Sequence, residues 1–428
     1  MTNLLPRSSP SPTAEGTALA SSLSLYVHIP FCEVRCPYCD FNTYAGIDAL
    51  IPPYMQALRR EIRLWGDALD RPEVRTVFFG GGTPSYVPSD ELAAVCRGAW
   101  EAFRVSPDAE VTMEANPGDF SRRDLSAYLD AGVNRLSIGV QSLDDGLLES
   151  LGRKHDAAQA VEAYEMARAA GFDNISLDLM FGLPGQSMGQ WQDSVRRVLD
   201  MGPEHLSLYG LTLEPGTPME AAVRRGQIAE PDSDLAADMF LYAMEALDSA
   251  GYRHYEVSNW ALPGMESRHN LAYWRNKPYL GVGPGAHSYL PGVRFANLKS
   301  PRWYIRRLAG ETSQSSSRAV DHAAAVDAFR APGIVDSVED VTPQTELADT
   351  VMMGMRLMEG LSEDAFRERF GVGIGELFGD TLHELVAEGL VEFDSAGARL
   401  TRDGILLGNE VFECMVSHAM ATYTGHHG

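Results

Sequence analysis

Three cysteines fall within eight residues, Cys32-Glu-Val-Arg-Cys36-Pro-Tyr-Cys39. Thiols at that spacing suit one metal centre rather than bridges, and an odd total of five cysteines points the same way. An iron–sulfur cubane normally takes four thiolates, so three from a single loop leave one iron open to another molecule. A structural zinc site completed by His28 would use comparable ligands. Zinc sites usually draw on two separated knuckles, whereas these ligands all lie on one loop. Cys96 and Cys414 stand alone. Cys96 sits among Leu92, Val95 and Trp100 in a helical pattern and reads as a buried thiol acting as a small hydrophobe.

Further polar residues stand where short β-branched runs end. Glu114 lies in Met-Glu-Ala-Asn-Pro, Gln141 closes a fourth run, and Asp178 lies in Leu-Asp-Leu-Met-Phe-Gly-Leu-Pro. An acid flanked by apolar strand residues needs a partner. Phe79-Gly80-Gly81-Gly82-Thr83-Pro84 adds a glycine-rich turn, which reads either as a tight strand-to-helix connection or as a place where backbone approaches a ligand with no Cβ in the way.

The elements that must position these residues alternate. Strand-like runs at 23–28, 74–79, 110–114, 135–140, 175–180 and 205–211 are separated by helical patterns, among them 54–69, 89–103 and 157–170, the last stopped by Gly171. Repeated β-α units predict an α/β fold with a parallel sheet, a partial barrel of six units whose active site sits at the C-terminal rim of the strands. A long helix over 232–250 leads into 252–257 and a Gly- and Pro-rich tract through Gly292. After a Ser-rich linker, Thr312 to Ser317, the chain turns mainly helical. Its end reads as a helix over 377–388, a stop at Gly389, and strands 390–393 and 399–401 around a turn at Ser395-Ala-Gly397, like a small winged helix. The expected division is 1–22 a disordered leader, 23–300 the barrel and its extension, and 318–428 a C-terminal domain. The leader has only Arg7 and carries Glu15, which argues against a transit peptide.

Composition narrows the function. Fifty-nine acidic against 35 basic residues give a formal charge of −24, which disfavours a phosphate backbone as partner and gives the winged-helix end a lid or packing role rather than DNA binding. No apolar run approaches the ~20 residues of a membrane-spanning helix, and no secretory pattern opens the chain, so a cytoplasmic location is expected.

Together these motifs resemble the radical SAM superfamily, whose Cys-x3-Cys-x2-Cys loop leaves the unique iron for the amino and carboxylate groups of S-adenosylmethionine. From Leu23 to about Gly292 the chain is similar to oxygen-independent coproporphyrinogen oxidase and its relatives. The resemblance implies a [4Fe-4S] cluster on Cys32, Cys36 and Cys39, with Tyr26 and Tyr38 bordering the loop. Gly81, Gly82 and Thr83 would line the methionine end of S-adenosylmethionine, Glu114 pair with its ammonium, Arg153 meet its carboxylate, and Gln141 and Asp178 hold its ribose. It implies reductive cleavage of S-adenosylmethionine as the available reaction and a reductant such as flavodoxin or ferredoxin.

Within that group, Phe41 replaces a cysteine typical of the oxidases, and their extended N-terminal arm is missing. Arg268-His269-Asn270-Leu271-Ala272-Tyr273-Trp274 carries the His-Asn-x2-Tyr-Trp signature of the HemW-type haem chaperones. The resemblance therefore implies haem or a porphyrin as ligand, with His269 a ligand or contact and Asn270, Tyr273 and Trp274 beside it. It also implies haem-accepting proteins as partners, including transient contact with membrane proteins. The alternatives are the oxidase itself, converting coproporphyrinogen III to protoporphyrinogen IX, and a zinc-stabilised adaptor with no enzymatic role.

Overall fold

Six strands run parallel in chain order: β1 (Ser22–Ile29), β2 (Glu73–Gly81), β3 (Arg104–Ala115), β4 (Arg135–Gln141), β5 (Ile175–Phe181) and β6 (His205–Gly210), each paired with the next. The structure is a computed structural model that describes residues 22–309 and 321–422; the expected leader, apart from Ser22, and the Ser-rich linker lie outside them.

Helices Ile51–Ala68, Ser89–Ala102, Arg122–Asp130, Ala157–Ala170 and Met188–Met201 make the crossovers. Their ends follow local chemistry. Ser121 with Asp124, Asp156 with Gln159 and Ser187 with Gln190 form capping boxes, and Gly171 ends its helix at φ +110°. The first helix begins three residues before the predicted start because Pro52 and Pro53 fit its first turn, where their missing N–H groups cost nothing.

Alternation along the strands sets which face does what. Leu25, Val27 and Ile29 on β1, Val77 and Phe79 on β2, and Leu136, Ile138 and Val140 on β4 are all buried in the main core. The intervening positions form a polar inner face: Tyr26 and His28, Thr76, Glu114, Ser137 and Gln141, Ser176 and Asp178.

The sheet is wider than the sequence pattern predicts. Beyond β6 lie β7 (Arg253–Glu256) and β8 (Asn259–Ala261); beyond β1 lie β9 (Tyr279–Val282), β10 (His287–Leu290), β11 (Val293–Asn297) and β12 (Val335–Asp340), giving twelve strands. The strand β9 joins β1 in parallel register, with Tyr26 opposite Gly281. These strands are three to five residues long except β12, too short to show a clear period of two.

The C-terminal unit also begins later than the boundary expected at residue 318. Helix His322–Arg330 and β12 belong to the large sheet, with Phe329 stacked on Trp65 and Ile334 and Val335 in the main core. A separate core forms only from Leu347 onward, around Phe366, Phe370, Phe378, Leu382 and Met415. It carries a three-stranded sheet of Leu361–Ser362, Val391–Asp394 and Gly397–Leu400, whose hairpin turns where the sequence places it. The result is a mixed α/β fold with a smaller, mainly helical C-terminal domain. Among the described residues no helix is long and apolar enough to cross a membrane.

Candidate functional site

The loop after β1 is pinched at its base. Cys32 N–H donates to Tyr44 O (3.0 Å) and Tyr44 N–H to Pro30 O (2.8 Å), so residues 32–43 leave the strand and return to it as one unit. His28 fixes the far end: its Nε2 donates to Asn42 O (3.0 Å), which leaves Nδ1 to accept from the Tyr26 hydroxyl (3.0 Å). Burial pushes the His28 pKa down to about 4, so the imidazole is neutral and serves as a strut.

Each cysteine sulfur meets a polar group. Thr83 Oγ1 lies 3.6 Å from Cys32 Sγ, Thr43 Oγ1 lies 3.9 Å from Cys39 Sγ, and Arg153 Nη1 lies 3.7 Å from Cys36 Sγ. All three sulfurs line one cavity of about 510 Å³ at the C-terminal end of the strands. Burial raises the pKa of Cys32 and Cys39 while these hydroxyls oppose the rise. A buried all-sulfur set becomes thiolate when a metal supplies the countercharge. Among the described residues no three Cys, His, Asp or Glu side chains are grouped to hold a single metal ion, and His28 is committed to Tyr26 and Asn42. Three thiols facing one cavity supply the all-sulfur donor set that an iron–sulfur cluster takes.

The glycine-rich turn lies against this loop. Gly82 N–H donates to Ile29 O and Thr83 N–H to Phe31 O, both at 2.8 Å, extending the β1–β2 pairing past the point where the cysteine loop departs. A Cβ on Gly81, whose φ is +107°, would stand 2.4 Å from the His28 ring; one on Gly82 would stand 2.6 Å from Ile29 O, and one on Gly80 2.8 Å from Glu114 Oε2. The glycines are required by close protein packing, and Gly81, Gly82 and Thr83 also face the cavity.

Glu114, Gln141, Arg153, Asp178 and Tyr38 line the same cavity. Glu114 accepts from Gly81 N–H (3.1 Å); burial first, and then the Asp178 carboxylate, push its pKa up to about 8. Asp178 accepts from Ser137 Oγ at 3.1 and 3.3 Å and from Ser176 Oγ at 3.3 Å. Its pKa is also raised by burial, against those hydroxyls. Gln141 holds φ +66°, a left-handed conformation that a residue with a long side chain rarely adopts, so its place is set by its surroundings. Arg153 donates to Asn116 Oδ1 (2.5 Å) and Gly139 O (2.8 Å).

Several contributors were not singled out from sequence. Asn116 receives Arg153 and donates to Thr83 Oγ1 (3.0 Å), tying the cation beside Cys36 to the hydroxyl beside Cys32. Ser137, Thr43, Tyr209 and Met180 complete the wall, and Arg135, two residues before Ser137 on the same face of β4, places buried positive charge beneath both acids.

The structure does not bring every expected residue to the cavity. Tyr26 sits below the loop on His28. The helix Arg268–Trp274 crosses the opposite, N-terminal end of the strands, where the Glu110 carboxylate accepts from the N–H groups of Arg268 and His269, both at 2.9 Å. His269 is fully buried there, with Nδ1 on Thr76 Oγ1 (2.8 Å), Nε2 on Tyr273 OH (2.9 Å) and Phe78 stacked on its ring. Burial lowers its pKa to about 3. Trp274 lies under Arg356, Asn270 is half-buried, and neither faces the cysteines. His269, expected as a haem ligand or contact, is here a buried ring whose two nitrogens both have hydrogen-bond partners.

Comparison with known proteins assigns this architecture. The Radical SAM superfamily model matches residues 26–198, and the HemN C-terminal domain model matches residues 341–407. "Heme chaperone HemW" from Bacillus subtilis (strain 168) is 37% identical over 390 residues, covering 91% of this chain and 98% of the relative. The Mycobacterium tuberculosis (strain ATCC 25618 / H37Rv) protein of that name is 36% identical, covering 92% and 94%. "Radical S-adenosyl methionine domain-containing protein 1, mitochondrial" from Mus musculus is 37% identical, covering 92% and 87%. In fold, the chain is similar to the solved coproporphyrinogen III oxidase HemN of Escherichia coli, with a TM-score of 0.77 at 23% identity over 95% of this chain and 94% of that one. With relatives this similar over nearly its whole length, the chain belongs to the HemW-type heme chaperones of the radical SAM superfamily.

Proposed function

We propose that the chain binds a [4Fe-4S] cluster through Cys32, Cys36 and Cys39, S-adenosylmethionine in the cavity beside it, and haem, which it passes to haem-requiring proteins in the cytoplasm. The observation that carries this reading is the convergence of three thiols on a cavity walled by Glu114, Gln141, Arg153 and Asp178, in a chain similar over nine-tenths of its length to heme chaperones. When bound, cluster and S-adenosylmethionine supply one-electron reductive chemistry.

The chain's own residues bind and orient. Glu114, once ionised, accepts from the methionine amino group, and Arg153 takes the carboxylate while Asn116 and Gly139 hold its guanidinium in place. Gln141 and Asp178 offer an amide and a carboxylate to ribose hydroxyls, with Ser137 and Ser176 keeping Asp178 in position. The hydroxyls of Thr83 and Thr43 stabilise cysteine thiolates, and the barrel wall excludes water. His269 and Tyr273 brace the floor, and on this reading haem is seated elsewhere on the chain.

The test has two arms on anaerobically purified protein. Haem titration gives a saturable Soret band, and coproporphyrinogen III stays unconverted with S-adenosylmethionine and a strong reductant. Robust formation of protoporphyrinogen IX would replace the chaperone reading with the oxidase; bound zinc in a colourless protein would replace it with the adaptor.

A further inference from the structure

Four of the 35 cations on this acidic chain fall close together with no acid between them. The nine residues from Lys299 to Arg307, Lys-Ser-Pro-Arg-Trp-Tyr-Ile-Arg-Arg, hold four of them and no acid, in a chain of net charge −24. Helix Pro301–Ala309 presents them asymmetrically. Pro301, Tyr304 and Leu308 are buried, with the Tyr304 hydroxyl on Glu61 (2.5 Å) and Arg60 donating to Leu308 O (2.8 Å), so the inner face is committed. The outer face shows Arg302, Trp303, Arg306 and Arg307 to solvent. Trp303 is 52% exposed, with the Arg306 guanidinium 5.1 Å above its ring. Among the described residues none of the four cations forms an ion pair.

This face is continuous with the cysteine loop. Asn42 Nδ2 donates to Lys299 O (3.0 Å), and Tyr44 OH donates to the same carbonyl (3.1 Å). One residue before Asn42, Phe41 is 65% exposed, and Arg35 donates to Cys39 O (3.2 Å) and Phe41 O (3.5 Å). Arg35, Phe41, Lys299, Arg302, Trp303 and Arg306 therefore form one basic, aromatic strip ending at Cys39, with the exposed acids Asp40 and Glu33 in the same loop and Glu33 paired with Lys154.

We infer that this strip is the docking surface for an acidic electron-carrier protein. The inference rests on the cluster assignment above. A cluster in this loop needs an electron from outside, because among the described residues the other cysteines are one buried in a helix and one exposed and alone. Charge complementarity selects the partner: an acidic carrier is repelled by most of this surface and steered to the strip, where Trp303 and Phe41 offer apolar anchors. The carrier's reduced flavin or iron–sulfur group loses one electron and the cluster gains it, with no bond made or broken. The other chemistry a basic helix with an exposed Trp fits, an anionic membrane, is disfavoured because the strip runs onto the cysteine loop rather than along an extended amphipathic face.

The experiment follows bleaching of the cluster's visible absorption in the full chain, reduced by dithionite or by fully reduced flavodoxin. In the native protein both reductants bleach the cluster, and the flavodoxin rate falls as salt is raised. In Arg302→Glu/Arg306→Glu the flavodoxin rate drops tenfold or more and loses most of its salt dependence, while the dithionite rate is unchanged; Trp303→Ala alone lowers the flavodoxin rate severalfold and serves if the charge reversal impairs folding. Equal flavodoxin rates in native and variant proteins would overturn the inference, as would strip-dependent sedimentation with phosphatidylserine vesicles alongside unchanged flavodoxin rates. Failure of dithionite to bleach the native protein would instead strike the cluster assignment itself.

Discussion

The backbone N–H of Gly81 donates to Oε2 of Glu114 across 3.1 Å, so the glycine-rich turn after β2 and the acid that ends β3 act as one unit. Gly81 can make this contact because its φ of +107° is open to glycine, and because no Cβ meets the His28 ring. Gly81→Ala should therefore cost roughly 1–3 kcal/mol through backbone strain alone. Displacing His28 and Glu114 should also weaken S-adenosylmethionine binding. Denaturant unfolding and calorimetric titration measure the two effects, and a variant native in both would show that the turn tolerates a side chain.

The Glu114 pKa of about 8 gives S-adenosylmethionine binding a pH dependence. Below that value the free protein holds Glu114 neutral, and the N–H donors of the methionine amino group require the carboxylate as acceptor, so binding releases a proton. Affinity should rise by up to about tenfold per pH unit from pH 6 toward 8 and level off above. Glu114→Gln should bind weakly with a flatter profile. Titrations in buffers of different ionisation enthalpy count the released proton directly.

Asn116 orients Arg153 and Thr83 at once. Asn116→Ala leaves the guanidinium with Gly139 O and the Cys36 sulfur as acceptors, and loss of a charge-assisted bond of about 1.5–3 kcal/mol predicts S-adenosylmethionine binding weakened at least tenfold with cluster content unchanged. Iron and sulfide analysis beside the titration separates these outcomes.

How far the sequence exposed this arrangement follows from period and length. Strands β1 to β6 alternate over six or more residues, so their inner and outer faces could be read, and Glu114 and Asp178 stood out as acids among apolar neighbours. The strands β7 to β11 are five residues or fewer, and the span through Gly292 read only as rich in Gly and Pro. Tertiary pairing made it sheet. Spacing within the His269 to Trp274 segment could not show that Glu110, 158 residues before Arg268, caps that helix at the barrel floor. Asn116 carries no signal of its own, because one Asn before a proline looks like any strand-to-turn junction.

His269 yields a test of that floor. Its neutral ring joins Thr76 to Tyr273, and His269→Ala should lose about 2–4 kcal/mol of stability through a cavity and two unpaired hydroxyls, while the Soret band of the haem complex is unchanged. The sign of its pH effect follows from a folded pKa near 3 against an ordinary 6.5. The unfolded chain takes up a proton first, so the ring's stabilisation is present above pH 6.5 and is lost as pH falls toward 3. Denaturant midpoints between pH 7.5 and 5 should fall more steeply in the native protein than in the variant. A Soret band altered by His269→Ala would return the residue to the haem site.

The central claim is that three thiolates hold a cluster with one iron open to S-adenosylmethionine. Its most direct test is electron paramagnetic resonance of the anaerobically reconstituted, reduced protein with and without S-adenosylmethionine. The account expects about four irons and four sulfides per chain, a signal whose shape changes when S-adenosylmethionine is added, and loss of both cluster and signal when Cys32, Cys36 and Cys39 are replaced together by Ala. A spectrum indifferent to S-adenosylmethionine, or a full cluster signal surviving in the triple variant, would contradict it.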